Sequence, residues 1–424
     1  MNEHDSENIG GMLEDMGYEN CDDKDNANIV ILNTCSIREH ADERFYGKLG
    51  QLKKKRLGDP NYVVAVCGCM MQQEHIVKNM KKKFPWVDII FGTHNIEEFP
   101  RLLQTCMEKR SKVKEILSDR DLVPERLPSS RLYKYKSFVN ITYGCNNFCT
   151  YCIVPYTRGR EKSRSIDSVI SEVKFLVADG VKEITYLGQN VNSFEDPDGR
   201  DFTDLIYETN KIEGLERIRF MTSHPKDLSD RLIKAYADCD KLCNYIHLPV
   251  QSGSTEVLKR MNRKYDRDRY LGIVRKIKEM VPDITISTDI IVGFPGETEE
   301  NFSDTLDMIK EVKYDSAFTF LYSIRKGTPA GEYDDQIPEK IKHERFDRLL
   351  NDINKITADK NREYVGRIEK VLVEGISKNN KSKLVGRTEG FKLVSFFGEA
   401  NLIGEIISVR IINANTFSLE GEML

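Results

Sequence analysis

The sequence predicts an α/β protein with three structured segments: a parallel sheet covered by helices, a partial barrel of alternating strands and helices, and a small antiparallel β-barrel. Short apolar strands alternate with helical patterns over most of the 424 residues. From residue 363, apolar and polar side chains alternate singly, with glycines between the runs. Residues 109–136 are highly charged, contain prolines and have no periodicity, which predicts a linker between the first two segments.

Residues 1–108 alternate helical and strand-like stretches. Apolar side chains at helical spacing predict a first helix over 5–18, with Asp5 as its N-cap. The alternation predicts a parallel sheet with helices on its faces, although a chain that opens on a helix lacks the expected first strand. The predicted strands are 28–32, 62–66 and 87–91, and the helices are 38–56, 70–83 and 96–108.

Residues 137–362 form a second alternating block. Its six strand–helix units are too few for a complete eight-stranded barrel and suit an open, partial one, in which the chemistry lies at the carboxyl ends of the strands. The predicted strands are 138–142, 183–187, 217–221, 245–248, 284–292 and 317–322, with helices that include 166–178, 228–237 and 299–312.

The last segment, 363–424, has five short strands at near-regular spacing. This pattern predicts a small antiparallel barrel, an architecture that often binds oligonucleotides, and a plain capping domain is the alternative. The predicted strands are 368–374, 383–387, 391–397, 404–412 and 416–419.

Composition and charge exclude several classes of protein. The apolar runs are too short to cross a bilayer, and the polar, acidic start is unlike a secretory signal, so we expect a cytoplasmic protein. A net charge of −4 argues against a protein that coats polyanions. The lysine-rich runs 53–56 and 78–83 are expected to be solvated helix faces, with a local RNA-binding surface as the alternative.

Three cysteines lie in one short loop after the first barrel strand. Cys145, Cys149 and Cys152 have the spacing C-x3-C-x2-C, which is one thiolate short of a closed metal site. Three thiolates on an iron–sulfur cluster leave one iron free to bind another group. Zinc would need a fourth ligand, and the next histidine along the chain is His224. An open cluster is therefore favoured over structural zinc or core cysteines.

This loop resembles the signature of radical S-adenosylmethionine (SAM) enzymes. The resemblance implies a 4Fe-4S cluster whose open iron binds the amino and carboxylate groups of SAM, and whose electron transfer generates a 5'-deoxyadenosyl radical. The protein then has to orient the target C–H bond and exclude water.

A wider set of motifs is similar to the methylthiotransferase family of radical SAM enzymes. The resemblance implies a flavodoxin-like amino domain with a second 4Fe-4S cluster, a partial TIM-type radical SAM domain, and a TRAM domain that binds tRNA. The motifs lie at residues 2–7, 33–39, 68–70, 140–144, 222–225, 247–253 and 288–297.

The resemblance places Cys35 and Cys69 at two ligand positions of the second cluster. The family's third cysteine lies in a Gly-Cys-Gln-Met-Asn-Glu stretch, two residues before Met1, so we expect a truncated start and an incomplete second cluster in the chain as written. Cys67 and Cys21 are the alternative third ligands. Alternation along a strand turns Cys67 away from the cluster position.

Other site residues follow from their places at strand ends. By resemblance, Gly188, Gln189 and Asn190 contact the amino acid end of SAM, and Gln251 and Ser252 also bind the cofactor. Ordinary turn chemistry explains these residues, and residues 293–297, equally well. For His224 and His247, a histidine with satisfied hydrogen bonds at a strand end is expected over one that contacts substrate.

The motifs at 2–7 and 222–225 resemble the members that add a 2-methylthio group to N6-isopentenyladenosine next to the tRNA anticodon. The expected partners are tRNA and an electron donor such as flavodoxin or ferredoxin, with no membrane, and the chain is expected to be a monomer. The alternatives are methylthiolation of threonylcarbamoyladenosine or of a ribosomal-protein aspartate, and a non-enzymatic iron–sulfur RNA-binding sensor.

Overall fold

The computed structural model describes residues 1–34, 39–118, 123 and 127–424, without the side chains of residues 39–43. The chain divides into two compact units, each of which is described by itself. Unit 1 comprises Met1–Tyr133, Thr142–Phe148 and Cys152–Arg164, and unit 2 comprises Lys134–Ile141, Cys149–Tyr151 and Ser165–Leu424. In the described ranges, no helix is long and apolar enough to cross a bilayer.

Unit 1 contains a four-stranded parallel sheet whose strands lie in chain order. Alternate residues of the second strand point to opposite faces, with Ala65 in one core and Val64 in the other, because helices cover both faces. The strands are β1 Ile29–Thr34, β2 Val63–Gly68, β3 Ile89–Phe91 and β4 Val113–Glu115. The helices are α1 Asn2–Asp15, α2 Glu39–Gly58, α3 Glu74–Lys83 and α4 Phe99–Lys109.

Two predictions for unit 1 are wrong. The segment predicted as a linker contains β4, which pairs in parallel with β3 and forms the edge of the sheet. Asp5 does not cap the first helix: α1 begins at Asn2, and the Asp5 carboxylate is buried and pairs with Arg158 at 2.8 Å. The sheet itself and the opening helix are confirmed.

The chain then passes through both units. The first strand of unit 2, β5 (Lys136–Asn140), is followed in unit 1 by an antiparallel ribbon of β6 (Thr142–Tyr143) and β7 (Lys162–Ser163), with the short helix α5 (Val154–Thr157) between them. The cysteine loop therefore begins directly after β6.

Unit 2 contains the predicted partial barrel. Two three-stranded parallel sheets, β5-β8-β9 and β10-β11-β12, are joined by a bridge between Ile218 and Leu242. The strands after β5 are β8 Glu183–Leu187, β9 Arg217–Phe220, β10 Tyr245–His247, β11 Thr285–Val292 and β12 Ser316–Leu321. The helices are α6 Ile166–Ala178, α7 Phe202–Asn210, α8 Asp230–Asp238, α9 Thr255–Arg260, α10 Arg267–Met280, α11 Glu299–Val312 and α12 Glu339–Arg362.

A closed five-stranded barrel ends unit 2, around a core that includes Val371, Phe396 and Val409. Its closing pair, β15 with β17, is parallel, whereas the other pairs are antiparallel as predicted. The strands are β13 Ile368–Ile376, β14 Lys383–Thr388, β15 Leu393–Phe397, β16 Ile406–Ala414 and β17 Leu419–Met423.

The turn 388–392 of this barrel packs against the amino ends of the parallel strands. Arg219, the third residue of β9, is buried, pairs with Glu183 at 2.9 Å, and donates to the carbonyl oxygens of Thr388 and Glu389 at 2.7 Å each. The Phe391 ring stacks on Tyr245 at the start of β10, with ring centroids 4.8 Å apart. These contacts join the carboxyl-terminal barrel to the amino edge of the partial barrel.

The buried contacts of Arg219 should stabilise the fold more than an exposed ion pair between the partial barrel and the carboxyl-terminal barrel. Arg219→Ala leaves Glu183 buried with only the more distant Arg217, at 3.9 Å, and we expect the free energy of unfolding to fall by about 3–5 kcal/mol. Lys182→Ala, which removes the exposed pair with Glu405, is the matched control and should cost less than about 1 kcal/mol. Urea denaturation followed by circular dichroism measures both, and equal losses would contradict this account.

Candidate cluster and cofactor site

Cys145 lies in a tightly held part of unit 1. Its backbone N–H donates to the carbonyl oxygen of Gly159 at 3.2 Å, and the Asn147 side-chain amide donates to its sulfur at 3.4 Å. Gly144 has φ +78°, and a Cβ there would lie 2.2 Å from the carbonyl oxygen of Arg160. A side chain at position 144 would therefore displace the start of the loop.

Cys149, in unit 2, lies against a buried arginine. Arg263 donates from Nη1 to the Cys149 sulfur at 3.3 Å and from Nε to the Tyr265 hydroxyl at 2.9 Å. Burial opposes the charged form of Arg263, yet Tyr265, Tyr151 and Cys149 hold its pKa above the ordinary value. A cation therefore faces a cysteine predicted to bind iron.

Unit 1 contains a similar contact. Arg158 donates from Nε to the Cys69 sulfur at 3.3 Å, and from Nη2 to Asp5 at 2.8 Å and Asn2 at 2.9 Å. Cys67 is fully buried in the core, and burial raises the pKa of its thiol, which disfavours the thiolate that binds metals. Cys35, predicted as a ligand with Cys69, lies outside the described residues.

Three predicted cofactor residues, Gly188, Gln189 and Asn190, lie at the carboxyl end of β8, beside the loop that follows β9. Asn190 is buried and donates to Asp227 at 2.7 Å, but its Oδ1 has no hydrogen-bond partner in the described structure. The Ser223 hydroxyl after β9 is likewise buried without a partner there. Thr222, with φ +65°, donates to the carbonyl oxygen of Gly188 at 2.7 Å and holds the two loops together. Strained backbone beside unsatisfied polar atoms is typical of a ligand site. Gln189, between Gly188 and Asn190, is half-buried.

Gln251 and Ser252 follow β10 and have different surroundings. Gln251 has φ +69° and exchanges backbone hydrogen bonds with Asp289 and Ile291 on β11. The Ser252 hydroxyl lies 3.3 Å from that of Thr305 on α11 and accepts from the Ser254 backbone N–H at 3.2 Å, so its contacts shape the loop and pack it against a helix. Cofactor contact by either side chain stays a prediction.

His224 and His247 both make hydrogen bonds to neighbouring residues. His224 accepts at Nδ1 from the Lys226 backbone N–H at 3.1 Å, and burial together with Arg263 and Lys226 lowers its pKa to about 2. His247 lies 2.8 Å from the Ser287 hydroxyl and 3.4 Å from Asp289. The expectation of structural histidines agrees with these contacts.

The donor set fits an iron–sulfur cluster and SAM by its chemistry. In the described ranges, no three His, Cys, Asp or Glu side chains stand as a ready-formed metal site. Soft thiolate donors, a buried cation beside sulfur, and the unpartnered Asn190 and Ser223 oxygens suit an anionic cluster and a polar cofactor.

Comparison with known proteins decides the family. Three family models match: "Radical SAM superfamily" at 139–309, "Uncharacterized protein family UPF0004" at 1–92 and "TRAM domain" at 362–424. A Clostridium botulinum (strain Langeland) protein named tRNA-2-methylthio-N(6)-dimethylallyladenosine synthase is 56% identical, over 100% of this chain and 94% of that protein. An Alkaliphilus oremlandii protein of the same name is 55% identical, over 100% and 90%.

The chain belongs to the radical SAM methylthiotransferase family. Members are transferases that use SAM and a 4Fe-4S cluster, so the family predicted from the motifs is confirmed. A solved radical SAM methyltransferase, TsrM from Kitasatospora setae, has a TM-score of 0.57 at 15% identity and covers 77% of this chain and 72% of its own, which supports the fold alone.

Sequence reasoning missed the two arginines beside sulfur. Arg158 lies 89 residues from Cys69 along the chain, and Arg263 lies 114 residues from Cys149. No short spacing pattern joins such residues, so only the folded chain reveals them.

The pKa of His224 gives a pH prediction. The folded chain keeps this side chain neutral, whereas the unfolded one binds a proton below pH 6.5, so its contribution is complete above 6.5 and is lost as the pH falls toward 2. Between pH 7.5 and 5 the wild-type chain should lose about 2 kcal/mol more than His224→Asn, which retains an acceptor for the Lys226 N–H. Urea denaturation at both pH values measures this, and equal losses would refute it.

Proposed function

We propose that this chain adds a 2-methylthio group to N6-isopentenyladenosine in tRNA. The observation that carries the proposal is the three-cysteine loop after the first strand of the partial barrel, in a chain similar along its whole length to synthases named for this product. A carboxyl-terminal TRAM domain in the same unit supports tRNA as the substrate. We also propose a cytoplasmic monomer with an electron donor such as flavodoxin or ferredoxin.

The chain's own residues have separate roles in this proposal. Cys145, Cys149 and Cys152 ligate the first cluster, and Cys69, with Cys35, ligates a second. When bound, the clusters would supply the electron and the sulfur, and SAM would supply the methyl group and the radical that removes hydrogen from adenine C2. The cofactor contacts are assigned to the strand-end residues Gly188, Gln189, Asn190, Gln251 and Ser252.

The inner face of β10–β12 suits a planar base. The outer face, with Ile246 and Ile290, is apolar and packs in the main core. On the inner face, Phe318 and Phe320 of β12 are 50% and 36% exposed, and Phe318 pairs in register with Asp289 of β11. Exposed aromatic rings beside a carboxylate offer stacking and a hydrogen-bond acceptor to a flipped adenine with an amino N–H.

Cysteine variants separate the two clusters. Cys149→Ala should abolish both 5'-deoxyadenosine formation and methylthiolation, because the first cluster loses a ligand. Cys69→Ala should abolish methylthiolation and retain 5'-deoxyadenosine formation. The measurement is mass spectrometry of both products from anaerobically reconstituted full chain with SAM, a reductant and tRNA containing isopentenyladenosine. Product only from tRNA with threonylcarbamoyladenosine, or only from a ribosomal protein, would redirect the proposal to those substrates.

The exposed Phe318 ring on the inner face leads to a prediction for substrate binding. Phe318→Ala should lower kcat/KM for isopentenylated tRNA by about 5- to 150-fold, since base stacking on an aromatic side chain contributes about 1–3 kcal/mol. Phe175→Ala is the matched control, because Phe175 is 51% exposed on helix α6, away from the strands. Equal values for the two variants would exclude Phe318 from the substrate site.

A further inference from the structure

Arg263 is a buried cation whose charge lacks a balancing carboxylate. It is 8% exposed, and its hydrogen-bond partners are the Cys149 sulfur at 3.3 Å, the hydroxyls of Tyr265 at 2.9 Å and Tyr151 at 3.5 Å, and the Pro249 carbonyl oxygen at 3.3 Å. In the described part of the chain, no carboxylate oxygen lies within 4.0 Å of its guanidinium. The sulfur is therefore the partner best able to take a negative charge.

Three other buried arginines have a counter-charge. Arg158 pairs with Asp5 at 2.8 Å, Arg219 with Glu183 at 2.9 Å, and Arg345 with Glu297 at 3.0 Å. Burial of an unpaired guanidinium is costly, so buried charges in proteins are normally paired or metal-linked. Arg158 donates to a cysteine sulfur at the same distance as Arg263, but its charge is already balanced by Asp5. Arg263 differs from these three arginines because no carboxylate among the described residues balances its charge.

We propose that Arg263 is a positioning residue for the first cluster, balanced by the anionic cluster that Cys149 holds, and that it raises the reduction potential of that cluster. The inference rests on the proposed ligand role of Cys149. A thiolate-ligated cluster becomes more negative when it accepts an electron, so a fixed cation 3.3 Å from a ligand sulfur favours the reduced form. Hydrogen bonds to cluster sulfurs act in the same direction.

The test is a redox titration of the first cluster, followed by electron paramagnetic resonance. All variants are made in a Cys69→Ala full-length background, so that the second cluster does not contribute. Arg263→Met removes the charge and the donors, Arg263→Gln removes the charge and retains an N–H donor, and Arg263→Lys retains the charge. Arg219→Met is the matched control, because Arg219 is an equally buried arginine bound to a carboxylate.

At a fixed potential, Arg263→Met and Arg263→Gln should each lower the reduced-to-oxidised ratio at least tenfold, which is 59 mV for a one-electron couple. Arg263→Lys and Arg219→Met should stay within threefold of the parent. A cluster retained only with Arg or Lys at position 263 would also support charge balance. An unchanged potential in a neutral variant, or loss of the cluster in Arg263→Lys as well, would overturn the proposal.

Cys149→Ala in the same background distinguishes two kinds of failure. A cluster that persists there contradicts the ligand assignment, and with it the proposed function of the cysteine loop. A cluster that is lost there, together with an unchanged potential in the neutral Arg263 variants, contradicts the role of Arg263 alone. Because iron content and potential are read without tRNA, substrate identity does not enter the result.

Discussion

Arg219 joins the amino end of the partial barrel to the carboxyl-terminal barrel through one buried ion pair and two hydrogen bonds to backbone carbonyl oxygens. Its buried guanidinium is shared between the buried carboxylate of Glu183 and two carbonyl oxygens of the turn 388–392. The parallel strands have an amino edge and a carboxyl edge, and this contact lies at the amino edge. The loops after β8, β9 and β10 lie at the other edge. Among the described residues the Asn190 and Ser223 oxygens have no partner there, and Thr222 and Gln251 have positive φ. These contacts hold the TRAM domain against the amino ends of the parallel strands.

The two faces of the partial barrel serve different ends. The outer face is apolar and covered by helices, which stabilises the parallel strands. The inner face carries charged and aromatic side chains, including Asp289, His247 and Phe318. Hydrogen bonds hold the polar side chains of this face in place, as between His247 and Ser287. The inner face is therefore ordered without apolar packing. An inner face of this kind suits a polar cofactor and a planar substrate.

Local signals predicted the elements that begin with clear caps. Helices α6 and α11 start after Ser165 and Thr298, whose side chains accept N-terminal N–H groups, and both match the predicted ranges. Strand β4 was missed because three residues cannot display alternation. Asp5 was misassigned because its partner, Arg158, is 153 residues away, and Arg263 was missed for the same reason. The spacing of the cysteines therefore predicted the metal chemistry. The charged residues around those cysteines could be identified only from the folded chain.

The proposed three-thiolate cluster of this chain leaves one iron open to SAM. The most direct measurement is the electron paramagnetic resonance spectrum of the reduced, cluster-loaded Cys69→Ala chain before and after addition of SAM. The account predicts that SAM changes the spectrum, because its amino and carboxylate groups bind the open iron. A spectrum unchanged at saturating SAM would contradict the account, since the cluster would then have no free coordination position.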